Sequence, residues 1–258
     1  MSRLWGVRML LCLALMLCGV AAEADGAAAS SASWASSGRV VFDVLRGEGG
    51  MKLGRAEHRW SHDGARYSME TSVEAAGVVG VLLDDFYYTQ SSRGRIVDGW
   101  LQPERFEVDQ AGRGVEFARF DWGGAKVAIT RKGKITHYPL NLRDQDVLSV
   151  WHLGALLGGR DLPGEIALVT NRRAEPALLQ VLGAQRVTLP IGQVDAIKIR
   201  ARARSGKLTI DLWLSQAHRL APVRIVMTDK KGSVLDQQAV SIELEGALPS
   251  GGAVNKDK

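Results

Sequence analysis

Cysteine is almost absent from this chain, and its two copies, Cys12 and Cys18, both fall within the first twenty residues. Beyond them there is no thiol for a disulfide, a thiolate metal site or a cysteine nucleophile. Catalytic signatures are missing as well. No Gly-rich phosphate loop, no His-Glu-x-x-His and no Gly-x-Ser-x-Gly occurs, which argues against the common nucleotide enzymes, zinc peptidases and serine hydrolases. Nor is there an apolar run long enough to span a bilayer.

What stands at the start reads as an export signal over residues 1–22. Arg3 and Arg8 give a positive n-region, and 9–20 is a short, uncharged, mostly apolar stretch. Val20, Ala21 and Ala22 offer cleavage after Ala22, and Ala22, Glu23 and Ala24 a second option. Lipid attachment at Cys18 is the alternative, but Leu17 stands before it where a small residue is needed. The expected product is a soluble periplasmic protein without cysteine. Its core must then stabilise it, and about 200 ordered residues are enough to build one.

Composition divides the rest. Residues 23–38 are mostly Ala, Ser and Gly and read as a flexible linker, with Trp34 the one large side chain. Residues 246–258 carry glycine, Pro249 and charges without periodicity and read as a disordered tail. A single β-rich domain is expected over 39–245. Without Arg3 and Arg8 the balance is 31 basic to 28 acidic residues, too even to point to a nucleic-acid partner.

The pattern is clearest from Val194 to Thr228. Ile197, Ile199, Ala201 and Ala203 alternate with Lys198, Arg200, Arg202 and Arg204. After Ser205 and Gly206, Leu208, Ile210, Leu212 and Leu214 alternate with Lys207, Thr209, Asp211 and Trp213. Period two with one apolar face predicts a half-buried antiparallel hairpin. From Arg39 to Tyr138, short alternating runs are separated by turn signals such as Asp63-Gly64, Asp98-Gly99 and Lys132-Gly133, which suggests a meander. No repeat of fixed period is present. Two stretches differ. Residues 75–83 have no polar side chain and form either buried core or an apolar flap at a cavity mouth. Residues 142–157 place Val147, Leu148, Val150, Trp151, Leu153, Leu156 and Leu157 at roughly helical spacing, with Asn141 or Asp144 to cap and Gly158-Gly159 to end the helix. The expected fold is all-β: a curved antiparallel meander forming a half-open barrel, with one amphipathic helix packed against it.

Polar candidates are thin. His58 and His62 share a strand face but lie about 13 Å apart along an extended chain, so they read as solvated residues near a turn. Asp146, Ser149 and His152 have the residue types of a nucleophile triad. A mid-helix serine lacks the sharp turn and oxyanion amides of acyl transfer, so they read as helix surface. His137 and His218 stand alone, and Asp84-Asp85 reads as a solvated loop tip. Lys198, Arg200, Arg202, Arg204 and Lys207 form a basic stripe that would suit anionic headgroups, or simply keep the hairpin from edge pairing.

The order Phe42-Asp-Val, Gly54-Arg-Ala, Phe120-Asp-Trp, Gln145-Asp, Leu212-Trp-Leu-Ser and Leu220-Ala-Pro-Val-Arg-Ile resembles the bacterial domain-of-unknown-function family 3108, over roughly 40–244. The resemblance implies an exported protein with a curved β-sheet and no assigned activity. The sheet also looks like the half-barrels of envelope lipid and lipoprotein carriers. The expected function is non-enzymatic binding of an apolar or amphipathic envelope ligand, with no metal and no cofactor. Val78, Val79, Leu82, Leu83, Trp151 and Trp213 are the candidate contacts. The alternative is a scaffold without a cavity that docks an envelope protein, and the third reading is an unfamiliar enzyme. If the export reading is right, mass spectrometry of periplasmic extract finds a mature chain starting at Glu23 or Asp25. A diacylated Cys18 would refute it.

Overall fold

The computed structural model describes residues 34–75, 87–159 and 162–245. The expected signal and tail, and most of the expected linker, lie outside them. Fifteen strands form one sheet. The first eight are β1 (Ser37–Arg46), β2 (Met51–His62), β3 (Arg66–Ala75), β4 (Tyr87–Val97), β5 (Trp100–Gln110), β6 (Arg113–Asp121), β7 (Lys126–Arg131) and β8 (Lys134–Pro139). A two-residue β9 (Gln145–Asp146) and the helix α1 (Val150–Leu156) come next. β10 (Glu165–Val169), β11 (Ala174–Leu189), β12 (Gly192–Ala203), β13 (Leu208–Ser215), β14 (Pro222–Asp229) and β15 (Val234–Glu245) complete the sheet.

Each strand pairs with its neighbour in sequence, except at one place. β1 pairs with β15, so the strand order runs from β8 back to β1 and from β15 back to β9. The two edge strands, β8 and β9, are joined only by residues 140–144. Laid flat, fifteen strands would be about 70 Å wide, whereas such a link reaches at most about 20 Å. The sheet therefore has to curl strongly until its two edges approach each other at this link, the seam of an open roll. Bonds across the roll hold it there. Gln145 donates to the carbonyl of Leu101 at 2.8 Å, Ser92 donates to Asp146 at 2.7 Å, and Asn171 donates to Glu116 at 2.6 Å. Register shifts interrupt the ladders at several points, among them Arg93/Gly94 and Val181/Gly183, where the extra residue bends the strand. The meander is antiparallel throughout, apart from the short parallel pair of β9 with Leu168 and Val169.

The turn signals act as expected. Asp98-Gly99 and Lys132-Gly133 have positive φ at both positions, the backbone that a two-residue hairpin turn requires. Phe42, Met69, Leu101, Phe106, Ile129, Ile210 and Leu212 point inward and are fully buried.

Four expectations need correction. The helix is shorter than 142–157, because residues 145–146 form β9. Its start is held from outside by Asp146, whose Oδ1 accepts the backbone N–H groups of Leu148 and Ser149. Asp144 instead fastens the seam, accepting from the N–H groups of Asn141 and Ala167. The helix is also not amphipathic: Val150 to Ala155 are all buried, because α1 lies inside the roll. Gly154 allows this, since a β-carbon there would sit 2.5 Å from the methyl ends of Ile199 and Leu214.

β13 is not half-buried either. Ile210 to Ser215 are buried on both faces, because Lys198, Arg200 and Arg224 lie across Asp211 and Trp213. Finally, the fold begins within the expected linker. Trp34 and Ala35 are buried, and Ser37 opens β1. Trp34 enters the interior because its ring stacks on His62 and its N–H finds an acceptor there.

The face assignment is testable by urea unfolding. Ile199→Asp buries an unpaired carboxylate and should cost roughly 3 kcal/mol or more. Arg200→Gln should cost about 1 kcal/mol or less, because Lys198 still faces Asp211. Equal losses would mean that the faces are wrongly assigned.

Candidate functional site

A pocket of about 380 Å³ opens on the concave side of the sheet. β2 and β3 build one wall with Leu53, Gly54, Thr71 and Val73; β14 and β15 build the other with Met227, Leu235 and Gln237. Trp151 reaches down from α1, and Val44 closes the inner end. The volume lies within the ~300–1,000 Å³ common for small-molecule sites. Burial is graded. Val44, Gly54, Thr71, Trp151 and Gln237 form a buried floor, while Leu53, Val73, Tyr88, Met227 and Leu235 form a half-exposed rim. Among the described residues, Glu74 is the one charged residue that lines it, and it is exposed.

Local sequence explains the wall. Val44 pairs with Gly54 but Leu45 pairs with Lys52, so Leu53 is the extra residue of a bulge. At Gly54 the strands come so close that a β-carbon would lie 2.1 Å from the Glu74 carbonyl oxygen. A glycine inside a strand commonly marks such an approach.

Behind the floor lies a buried chain of hydrogen bonds. The indole of Trp34 donates to Nδ1 of His152 at 2.8 Å. A tryptophan N–H can only donate, so that nitrogen carries no proton. His152 therefore holds its proton on Nε2 and gives it to Nε2 of His58, 2.6 Å away. His58 is then protonated on Nδ1, which faces Thr71 Oγ1 at 2.7 Å. Both histidines are wholly buried and neutral. Burial pushes His58 down to about 3, only partly countered by a hydrogen bond with the Glu70 backbone. Burial, then the nearby His58 and His62, hold His152 well below the usual range. Trp151 packs edge-on against His58 at 5.1 Å, and Trp60 tilts against His152 at 4.7 Å. The chain thus ends on one residue of the pocket floor, Thr71, and a second, Trp151, packs on its His58 ring.

Asp146 belongs to a second buried network. It accepts from Ser92, whose hydroxyl also lies 3.2 Å from that of Tyr67. Burial raises the Asp146 carboxyl and, with the charge of Asp146, the Tyr67 phenol.

The sequence-derived candidates separate. Trp151 lines the pocket. Val78, Val79, Leu82, Leu83, Asp84 and Asp85 lie outside the described residues. Trp213 is remote from the pocket, held between Lys198 and Arg224 with its N–H on Gln185 at 3.0 Å. In the basic stripe, Lys198 and Arg200 both pair with Asp211, and Arg204 pairs with Glu165. Arg202 and Lys207 are exposed.

His58 is no solvated residue, and Asp146, Ser149 and His152 are no helix surface; all four are fully buried. They form no triad, because the ring of His152 is taken by Trp34 and His58, and Ser149 donates to the Asp146 carbonyl. Among the described residues no three potential ligands cluster for a metal. Sequence reasoning missed the strand residues of the wall. Gly54 inside an otherwise regular strand pattern was the available signal.

A family model described as "Protein of unknown function (DUF3108)" matches residues 38–238. The chain belongs to this family. No curated protein matches it. Two solved structures are similar in part. One is a crystal structure of a putative lipoprotein from Parabacteroides distasonis, 11% identical, covering 82% of this chain and 97% of its own, with a TM-score of 0.33. The other is an uncharacterized conserved protein from Thermus thermophilus, 13% identical, covering 81% and 79%, with a TM-score of 0.29. Likeness at this level carries no functional argument. Among the described residues, no helix is long and apolar enough to cross a membrane.

The histidine chain makes stability depend on pH. An unfolded histidine titrates near 6.5, whereas His58 and His152 stay neutral in the fold to far lower pH. Between those limits the unfolded state binds more protons, so stability falls as pH falls below about 6.5. Each histidine should contribute up to ~1.4 kcal/mol per pH unit over that window. Urea unfolding at pH 7, 6, 5 and 4 measures the slope. His152→Gln should remove about one proton's worth; an unchanged slope would show that His152 is not buried neutral.

Proposed function

We propose that this is an exported cell-envelope protein that binds an apolar or amphipathic ligand without chemical transformation. One observation carries the reading. The rolled sheet keeps a pocket of about 380 Å³ whose rim is half-exposed carbon and whose floor is an indole. An apolar recess open at its rim holds carbon against water, a cost that an apolar ligand removes. The reading of residues 1–22 as an export signal supports the envelope location, with a soluble periplasmic form expected after cleavage. The absence of catalysis is supported by how the titratable groups are used. His58, His152 and Asp146 are buried, and each is engaged by side chains and amides of the fold.

Docking of an envelope protein is the second reading, and a different place favours it. A groove of about 670 Å³ runs beside the seam, where Leu142 is 78% exposed.

Fluorescence enhancement of N-phenyl-1-naphthylamine, a neutral apolar probe, tests the first reading. The wild type should bind it. Met227→Glu puts a charge on the rim and should weaken binding at least about tenfold, while the melting temperature stays within a few degrees. No binding by the wild type would remove the pocket reading and leave the groove at the seam.

A further inference from the structure

The floor and the rim of the pocket differ in chemistry, and the difference selects a ligand class. Trp151 and Gln237 are 2% and 3% exposed and both line the pocket. Trp151 Nε1–H and Gln237 Oε1 are buried and have no hydrogen-bond partner. Buried polar atoms are nearly always paired, so an orphan donor and an orphan acceptor among the residues of one pocket call for a third group. The indole can only donate and the amide oxygen can only accept. A hydroxyl serves both at once. An ether oxygen serves the indole alone. A carboxylate also serves only the indole and leaves its charge bare, because among the described residues no Lys or Arg lines the pocket and Glu74 is the one charged residue that does.

We propose that the pocket takes a single-chain amphiphile by its polar end, and that this end is an uncharged hydroxyl, as in a fatty alcohol or a glyceryl monoester. The inference rests on the pocket reading above. The hydroxyl accepts from Trp151 Nε1–H and donates to Gln237 Oε1. The alkyl chain runs outward along Leu53, Val73, Met227 and Leu235 to the half-exposed rim. Both polar atoms are shielded from solvent, so the Gln237 amide and the Trp151 indole both turn towards the pocket as the ligand seats. Thr71, fixed from behind by His58, keeps that part of the floor rigid.

Displacement of N-phenyl-1-naphthylamine by 1-decanol, decyl methyl ether and decanoate at pH 8 tests this. The alcohol should bind about fivefold tighter than the ether, the worth of one hydrogen bond. Decanoate should bind at least about fiftyfold more weakly than the alcohol. Gln237→Leu should abolish the gap between alcohol and ether, and Trp151→Phe should weaken both. Should Trp151→Phe lower the melting temperature by more than a few degrees, Gln237→Leu decides alone. If the fluorescent probe binds but alcohol and ether compete equally, or decanoate binds best, the head-group inference is overturned and the pocket reading stands. If none of the four compounds binds, both fall.

Discussion

The tie between the two edges of the sheet governs this structure. Residues 140–144 join β8 to β9, and every other neighbour in sequence is already a neighbour in the sheet. A ribbon of fifteen strands held at both edges by so short a link must curl strongly. Curling creates an interior larger than strand side chains fill readily, and the chain meets this with the segment that follows the link. The segment after β9 turns inward as α1, and Trp34 enters as well. What remains unfilled is the pocket.

That arrangement explains why polar side chains lie so deep. A segment that leaves the sheet and crosses an interior carries backbone groups that need partners. Asp146 supplies one set by accepting two amides at the start of α1. The histidines supply lateral ties. His58 belongs to β2, His152 to α1, and Trp34 precedes β1, so two hydrogen bonds fasten three separate parts of the chain. Neutral imidazoles suit this task, because each can accept on one nitrogen and donate from the other without bringing a charge into the core.

Much of the fold was legible in sequence, and the reason is local. Period-two alternation and paired turn residues such as Asp98-Gly99 and Lys132-Gly133 report strand and hairpin within a few residues. The site was far less legible. Trp151 stands out in the sequence, but only as a large apolar residue in a helical pattern. His58 and His152 lie 94 residues apart, and no spacing rule joins them. Asp146, Ser149 and His152 look like helix surface because polar residues at regular intervals usually are; burial on all sides by a rolled sheet removes the solvent that rule assumes. The same limit applies to Trp213. Its place in the alternation marks the outer face correctly, but Lys198 and Arg224 cover it, and long cations from neighbouring strands leave no trace in a periodicity. The lining of the pocket comes from six strands, each ordinary when read alone.

The pairing of β1 with β15 sets the order in which this molecule can form. Ser37 meets Glu245 across 208 residues of chain. Meander hairpins close small loops and assemble early, whereas joining the two ends closes nearly the largest loop the domain contains, and loop-closure entropy grows with that length. Until β15 emerges, β1 presents one bare edge and the roll has no second half to close against. A chain delivered amino end first therefore stays incomplete through almost its whole passage. Its last strand acts as a kinetic clasp, and deleting the 12 residues of β15 should matter more than their small share of the core suggests.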